Sequence, residues 1–200
     1  MITRIEKGRD NFVFLNIKNY QKMKKITNFL FNNGKYKIAI PVLIVGFILQ
    51  AILIVKYLPE FLIYSNGVKN PDQLFSYNLD FIKSLYQTLG ESGRSYYGKM
   101  LIVDFLYTTV SGLGFSLLLS ALVKKKKWYI TLPLFLMVSD ILENISQLIL
   151  MNRFPHISSF GVNISSICST AKMSLSLVCI LLILFFISKH ILVSLKDRKM

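Results

Sequence analysis

The chain has 200 residues, 53% of them hydrophobic and only 17% charged, and its mean hydropathy is +0.50; this excludes an ordinary water-soluble domain and places the protein in a bilayer. A formal net charge of +14 raises nucleic acid as a partner. The basic residues cluster beside apolar runs, however, which points to membrane topology and away from nucleic acid.

Residues 1–37 mix Lys, Arg and Asn with Phe12, Phe14, Leu15, Met23, Ile26, Phe29, Leu30 and Phe31. This composition suits a segment lying on an anionic membrane face. Met23-Lys24-Lys25 ahead of an apolar run also resembles a translation start with a signal-anchor. No small-residue cleavage pattern ends that run, so it is read as a retained first span, about 38–56, with Pro41 in its first turn. A bilayer core of about 30 Å takes roughly 20 helical residues to cross.

After the first span, Asn70-Pro71-Asp72 starts a turn, and Leu79, Ile82, Leu85, Tyr86 and Leu89 recur at helical spacing. They predict a short amphipathic helix in the first outer loop, lying on the outer leaflet and ending at Gly90. The segment from Gly90 to Tyr97 leads into the second span and sets Arg94 at headgroup level. There it either snorkels or reaches an acid or an anionic headgroup. The second span covers 100–123, a lysine turn follows at Lys124 to Lys127, and the third span covers 128–151. The fourth begins between Ser169 and Met173, covers about 170–192, and leads to a basic tail at 196–200.

With four crossings, the nine basic residues before the first span, the lysine turn and the basic C-terminal end all share one side. By the positive-inside rule both termini are cytoplasmic and the membrane is the cell membrane. The sequence therefore predicts an all-α, four-transmembrane-helix bundle. Cys168 and Cys179 lie eleven residues apart on one helix, about 16 Å and too far for a disulfide. His156 and His190 fall on opposite sides, so no His/Cys metal cluster forms, and no motif implies a cofactor.

The third span carries Asp140, Glu143, Asn144 and Gln147, all on one helical stripe. Ionisable groups at mid-membrane cost roughly 2.5–3.5 kcal/mol each on insertion scales, so they need partners, water or a task. The second span repeats the spacing with Asp104, Tyr107, Thr108 and Ser111. Equal steps outward from the short turn bring Asp140 level with Ser111, Glu143 with Thr108, Asn144 with Tyr107 and Gln147 with Asp104. Below them Gly112, Ser116 and Ser120 form a small-xxx-small series suited to close helix contact. Lys172 falls within reach of the acids if the fourth helix ends near Lys189, and at the outer interface if it runs on to Lys196.

The segment Leu89-Gly90-Glu91-Ser92-Gly93-Arg94-Ser95-Tyr96-Tyr97, then Asp104, Pro133, Asp140-Ile141-Leu142-Glu143-Asn144 and Lys172 resembles a group of small, uncharacterised multi-pass membrane proteins. These carry a Gly-x-x-Gly-Arg-x-x-Tyr segment before a span with an early Asp, and Asp-x-x-Glu-Asn in the next. The resemblance covers Asn70 to Lys172 and implies no activity, substrate or cofactor. The proline that this pattern has shortly after the Asp of the second span is missing from Phe105-Leu106-Tyr107-Thr108.

The expected function is binding or transport of a small cationic or amphipathic ligand. Asp104, Asp140 and Glu143 serve as counter-charges, Asn144 and Gln147 orient, and Arg94 and Lys172 balance the charge. A solute pathway through so narrow a bundle would call for a homo-oligomer. Two other readings compete: a membrane-embedded enzyme acting on a lipid or isoprenoid through paired carboxyls, and a non-catalytic accessory or immunity-type subunit whose acids only bond the helices together.

Overall fold

The computed structural model describes residues 21–123 and 125–197. Lys124, most of the basic N-terminal segment and residues 198–200 of the tail lie outside the described residues. The described chain is helical, with no strand among the described residues, and four of its helices are long and apolar enough to cross a membrane. Large apolar side chains such as Ile44, Phe47, Ile102, Leu142 and Leu181 face outward along these helices. That surface is untenable in water and normal in lipid. The protein is an integral, multi-pass membrane protein.

Helix α1 (residues 21–33) precedes the first span, α2, which is a continuous rod over Tyr36–Tyr64. This rod is longer than the run up to residue 56 that hydropathy marks. A widened π turn at Leu53–Tyr57 carries the helix past Pro59. Pro59 offers no N–H to the Val55 carbonyl and its ring crowds that oxygen, and the extra residue in the turn relieves both problems. The chain then reverses through Asn66 (φ 51°) and Gly67 (φ 80°), left-handed positions that Asn and Gly tolerate best.

The segment Leu79–Val123 divides at Gly90, whose φ of 60° and ψ of −169° break the helical path. Residues 79–89 form α3, the expected amphipathic helix, and residues 91–123 form the second span, α4. The expected resting place of α3 is corrected: Ile82, Leu85, Tyr86 and Leu89 are buried in the protein's own core with Phe61, Tyr97 and Leu101, not against a leaflet. A 3₁₀ turn at Trp128–Thr131 leads into α5 (Leu132–Arg153), and α6 covers Ser159–Asp197. The fourth span thus starts about ten residues earlier than hydropathy indicated. The Ser-rich stretch after Ser159 is helical because Ser165, Ser166 and Ser169 find partners in the protein and do not need water.

Helix α4 is central. It packs along α2, α5 and α6, and α5 packs along α6, while α2 and α6 scarcely meet. Small residues set the close approaches: a Cβ on Gly46 would come within 2.8 Å of Ser111, and one on Gly112 within 2.6 Å of Met137. At the lysine-turn end, Leu30 of α1 joins Ala39, Leu117, Leu119 and Ile130 in a second apolar core.

Candidate functional site

The third-span stripe forms one wall of a buried polar chamber near the loop end of the bundle. Lys172 of α6 projects into it. Its Nζ lies 2.6 Å from Glu143 Oε2, 3.0 Å from Asp72 Oδ1 and 3.3 Å from Asp140 Oδ1. Thr108 of α4 donates to Asp140 Oδ2 at 2.7 Å, and the Asn144 amide donates to Asp104 Oδ2 at 2.6 Å. One carboxylate oxygen from each of Asp72, Asp104 and Asp140 lies within 4.8 Å of the other two. Three acids therefore touch one ammonium and Asp104 adjoins two of them, leaving three formal negative charges if all four carboxyls are ionised.

Next to this chamber, toward the loop end, a second polar group is closed on itself. Gln147 Nε2 donates to Tyr77 OH (2.9 Å) and Ser165 Oγ (3.0 Å), while its Oε1 accepts from Tyr86 OH at 2.6 Å. Tyr77 OH in turn donates to Glu143 Oε1 at 3.1 Å and pairs with Ser165 Oγ at 2.8 Å. Burial, reinforced by the Glu143 carboxylate, pushes the Tyr77 phenol well above its ordinary value, so the hydroxyl keeps its proton and remains a donor. Glu143, Asn144 and Gln147 are fully buried.

The polypeptide between α2 and α3 delivers Asp72 and Tyr77. Pro71 opens a single 3₁₀ turn that holds Asp72, and Asn70 Nδ2 donates to Asp72 Oδ2 at 3.3 Å. Side chains of α6 fasten the segment that follows. Ser169 donates to the Leu74 carbonyl (2.6 Å), Thr170 to the Phe75 carbonyl (2.9 Å), and Ser166 Oγ accepts from the Tyr77 N–H (3.0 Å). This loop acts as a strap across the end of the bundle.

From the acids, a cavity of about 550 Å³ runs toward the lysine-turn end, between α2 and α6. Asp72, Asp104, Asp140 and Lys172 line its charged end, and Phe47, Phe115, Met137, Ile180 and Ile183, with uncharged Gln50, Ser111 and Ser176 among them, line the remainder. Its volume falls within the roughly 300–1,000 Å³ range of small-molecule sites.

Of the side chains singled out from sequence, Asp104, Asp140, Glu143, Asn144 and Lys172 meet in the chamber and Gln147 lies in the adjoining network. Arg94 stands apart: it donates to the Tyr86 carbonyl at 2.8 Å and lies 4.8 Å over the Phe154 ring. The depth pairing needs correction by nearly one turn. Asp140 meets Thr108 and Asn144 meets Asp104, not Ser111 and Tyr107. The reason is the start of the third span: Lys127 is extended (φ −131°, ψ 144°) and the 3₁₀ turn after it rises about 2.0 Å per residue against 1.5 Å in an α-helix, so the chain climbs faster than equal counting assumes. Asp72, Tyr77 and Ser165 are the partners that sequence reasoning missed. The turn signal at Asn70-Pro71-Asp72 was visible, but nothing in it indicates that the turn folds onto α6.

No protein-family model, no curated protein and no solved structure matches this chain.

Proposed function

We propose that this membrane protein binds a cationic ligand in the chamber formed by Asp72, Asp104, Asp140 and Glu143. One observation carries the reading: a cluster of four carboxylates, three of them in contact with a single ammonium, lies beside a cavity large enough for a small molecule. Uncompensated charge is costly in a low-dielectric interior. Lys172 is a tethered counter-cation that neutralises one of the four acids. A second positive charge in the cavity lowers the remaining imbalance, and Asp104 and Asp140 are the acids it meets: both border the cavity, while Asp72 is held by Lys172 and Asn70 and Glu143 by Lys172 and Tyr77.

The division of labour follows from hydrogen bonding. Thr108 and Asn144 each fix one oxygen of their carboxylate, so Asp140 and Asp104 are held in place before a ligand arrives, and pre-organisation of this kind lowers the cost of binding. In the topology set by the basic residues, the chamber lies in the outer half of the membrane and both termini are cytoplasmic.

Thermal unfolding of the purified protein in a neutral maltoside detergent tests the reading, with butylammonium, Mg²⁺ and Ca²⁺ as separate probes. A ligand at a hundred times its Kd stabilises by about 2.7 kcal/mol. At least one probe should raise the unfolding temperature in a saturable way, and Asp104→Asn and Asp140→Asn should each shift half-saturation at least tenfold. No saturable shift with any of the three cations, or half-saturation in both variants equal to that of the unaltered protein, would overturn it.

A further inference from the structure

Resting on the reading of the chamber as a cation site, we infer that its ligand is an amphipathic ammonium that reaches the site sideways from the lipid, through the seam between α2 and α6, with its head at Asp104 and Asp140 and its tail in the apolar arm of the cavity.

The first support is the polarity of the cavity along its length. Charged residues occupy only the loop end; beyond it the wall is apolar at Phe47, Phe115, Met137, Ile180 and Ile183, with uncharged Gln50, Ser111 and Ser176 spaced among them. A compact hydrated cation would use the charged end alone and leave the apolar wall unmatched. An ion with an apolar tail matches both parts.

The second support is where the walls are closed. Among the described residues, the loop end is covered by the strap that carries Asp72 and is hydrogen-bonded to α6 through Ser166, Ser169 and Thr170. Under it the side chains of Asp72, Asp140 and Lys172 are only 10–16% exposed. At the lysine-turn end, Ile183 lines the cavity and also packs against the core formed by Leu30, Leu117 and Ile130. The side is different. Helices α2 and α6 scarcely touch, and Phe47 and Ile180, which line the cavity from the two sides of this seam, are 56% and 52% exposed on a surface that faces lipid. Phe47 rests edge-on against Phe115 of α4, at 6.4 Å between ring centres, so apolar surface continues from the bilayer into the cavity.

The experiment compares dodecylammonium, butylammonium and uncharged dodecanol as stabilisers of the protein in phosphatidylcholine nanodiscs. Dodecylammonium should stabilise saturably, with half-saturation at least tenfold below that of butylammonium, and dodecanol should give no saturable shift. Ile180→Trp, which fills the apolar arm at the seam, should weaken dodecylammonium at least tenfold and leave butylammonium unchanged; retained butylammonium binding and helical circular dichroism show that this variant is folded. If butylammonium and dodecylammonium saturate alike, or if Ile180→Trp affects neither, the tail and the lateral route are wrong while the cation site stands. If dodecanol matches dodecylammonium, the charged head is not what binds and the inference fails. If neither ammonium binds, the inference fails together with the chamber reading.

Discussion

Two polar regions lie side by side within this bundle, and they are built on different terms. Around Gln147, both ends of the amide are used, and Tyr77, Tyr86 and Ser165 each have a partner. Around Lys172 the balance fails: a cluster of four acids holds one ammonium, and the buried Asn144 Oδ1 has no hydrogen-bond donor among the described residues. A closed network specifies helix register and needs nothing further. An open, unbalanced cluster retains capacity to bind, and so the adjoining cavity is read as a site and the Gln147 network as structure.

Several substitutions would break or sharpen this contrast. The largest effect is expected for Lys172→Met, which removes the only cation that faces the fully buried Glu143 among the described residues; breaking a buried pair in this way costs about 3–5 kcal/mol. Adding Glu143→Gln to that variant should recover most of the loss, measured as unfolding midpoints in a denaturing detergent series. A double variant no more stable than Lys172→Met would show that charge imbalance is not the cause. Gln147→Leu comes next. It removes the side-chain acceptor of Tyr86, whose hydroxyl keeps only the residue-147 carbonyl at 3.3 Å, and the amide donor to Tyr77 and Ser165, at about 1–3 kcal/mol, and should leave half-saturation by butylammonium unchanged.

Arg94→Gln should cost about 1 kcal/mol, since a hydrogen bond to the Tyr86 carbonyl and a cation–π contact with Phe154 are lost. It too should leave ammonium binding unaltered, and a tenfold weakening would place Arg94 in the site after all. The smallest stability effect is expected for Asp104→Asn, within about 1 kcal/mol, because an amide in that position still accepts from Asn144. Its binding effect is the opposite, a tenfold or greater loss. This variant separates the two regions most sharply: the proposed site predicts a loss of binding at Asp104 and a loss of stability at Gln147.

Much of the architecture was legible along the chain. Four apolar runs, the glycine break at Gly90 and the periodic burial of Ile82, Leu85, Tyr86 and Leu89 are local properties, and the structure agrees with each in kind. Boundaries were less legible. Ser159 to Ser169 reads as polar linker because hydropathy cannot tell a hydroxyl that needs water from one already bonded to Leu74 or Tyr77. The level of Asp140 against α4 was misjudged by nearly a turn because an extended lysine and a 3₁₀ turn change the rise per residue without any apolar signature.

The sequence by itself determined that this chain crosses a membrane four times and that acids recur at helical spacing on two of the crossings, since solvation cost and a 3.6-residue period act residue by residue. Only the tertiary structure decided which acids share a chamber, that Lys172 stands among them, and that Asp72 and Tyr77 arrive from a loop some hundred positions away from the α6 side chains they meet. Contacts across such separations depend on how rods pack and where a strap is tied, and no local preference encodes either one.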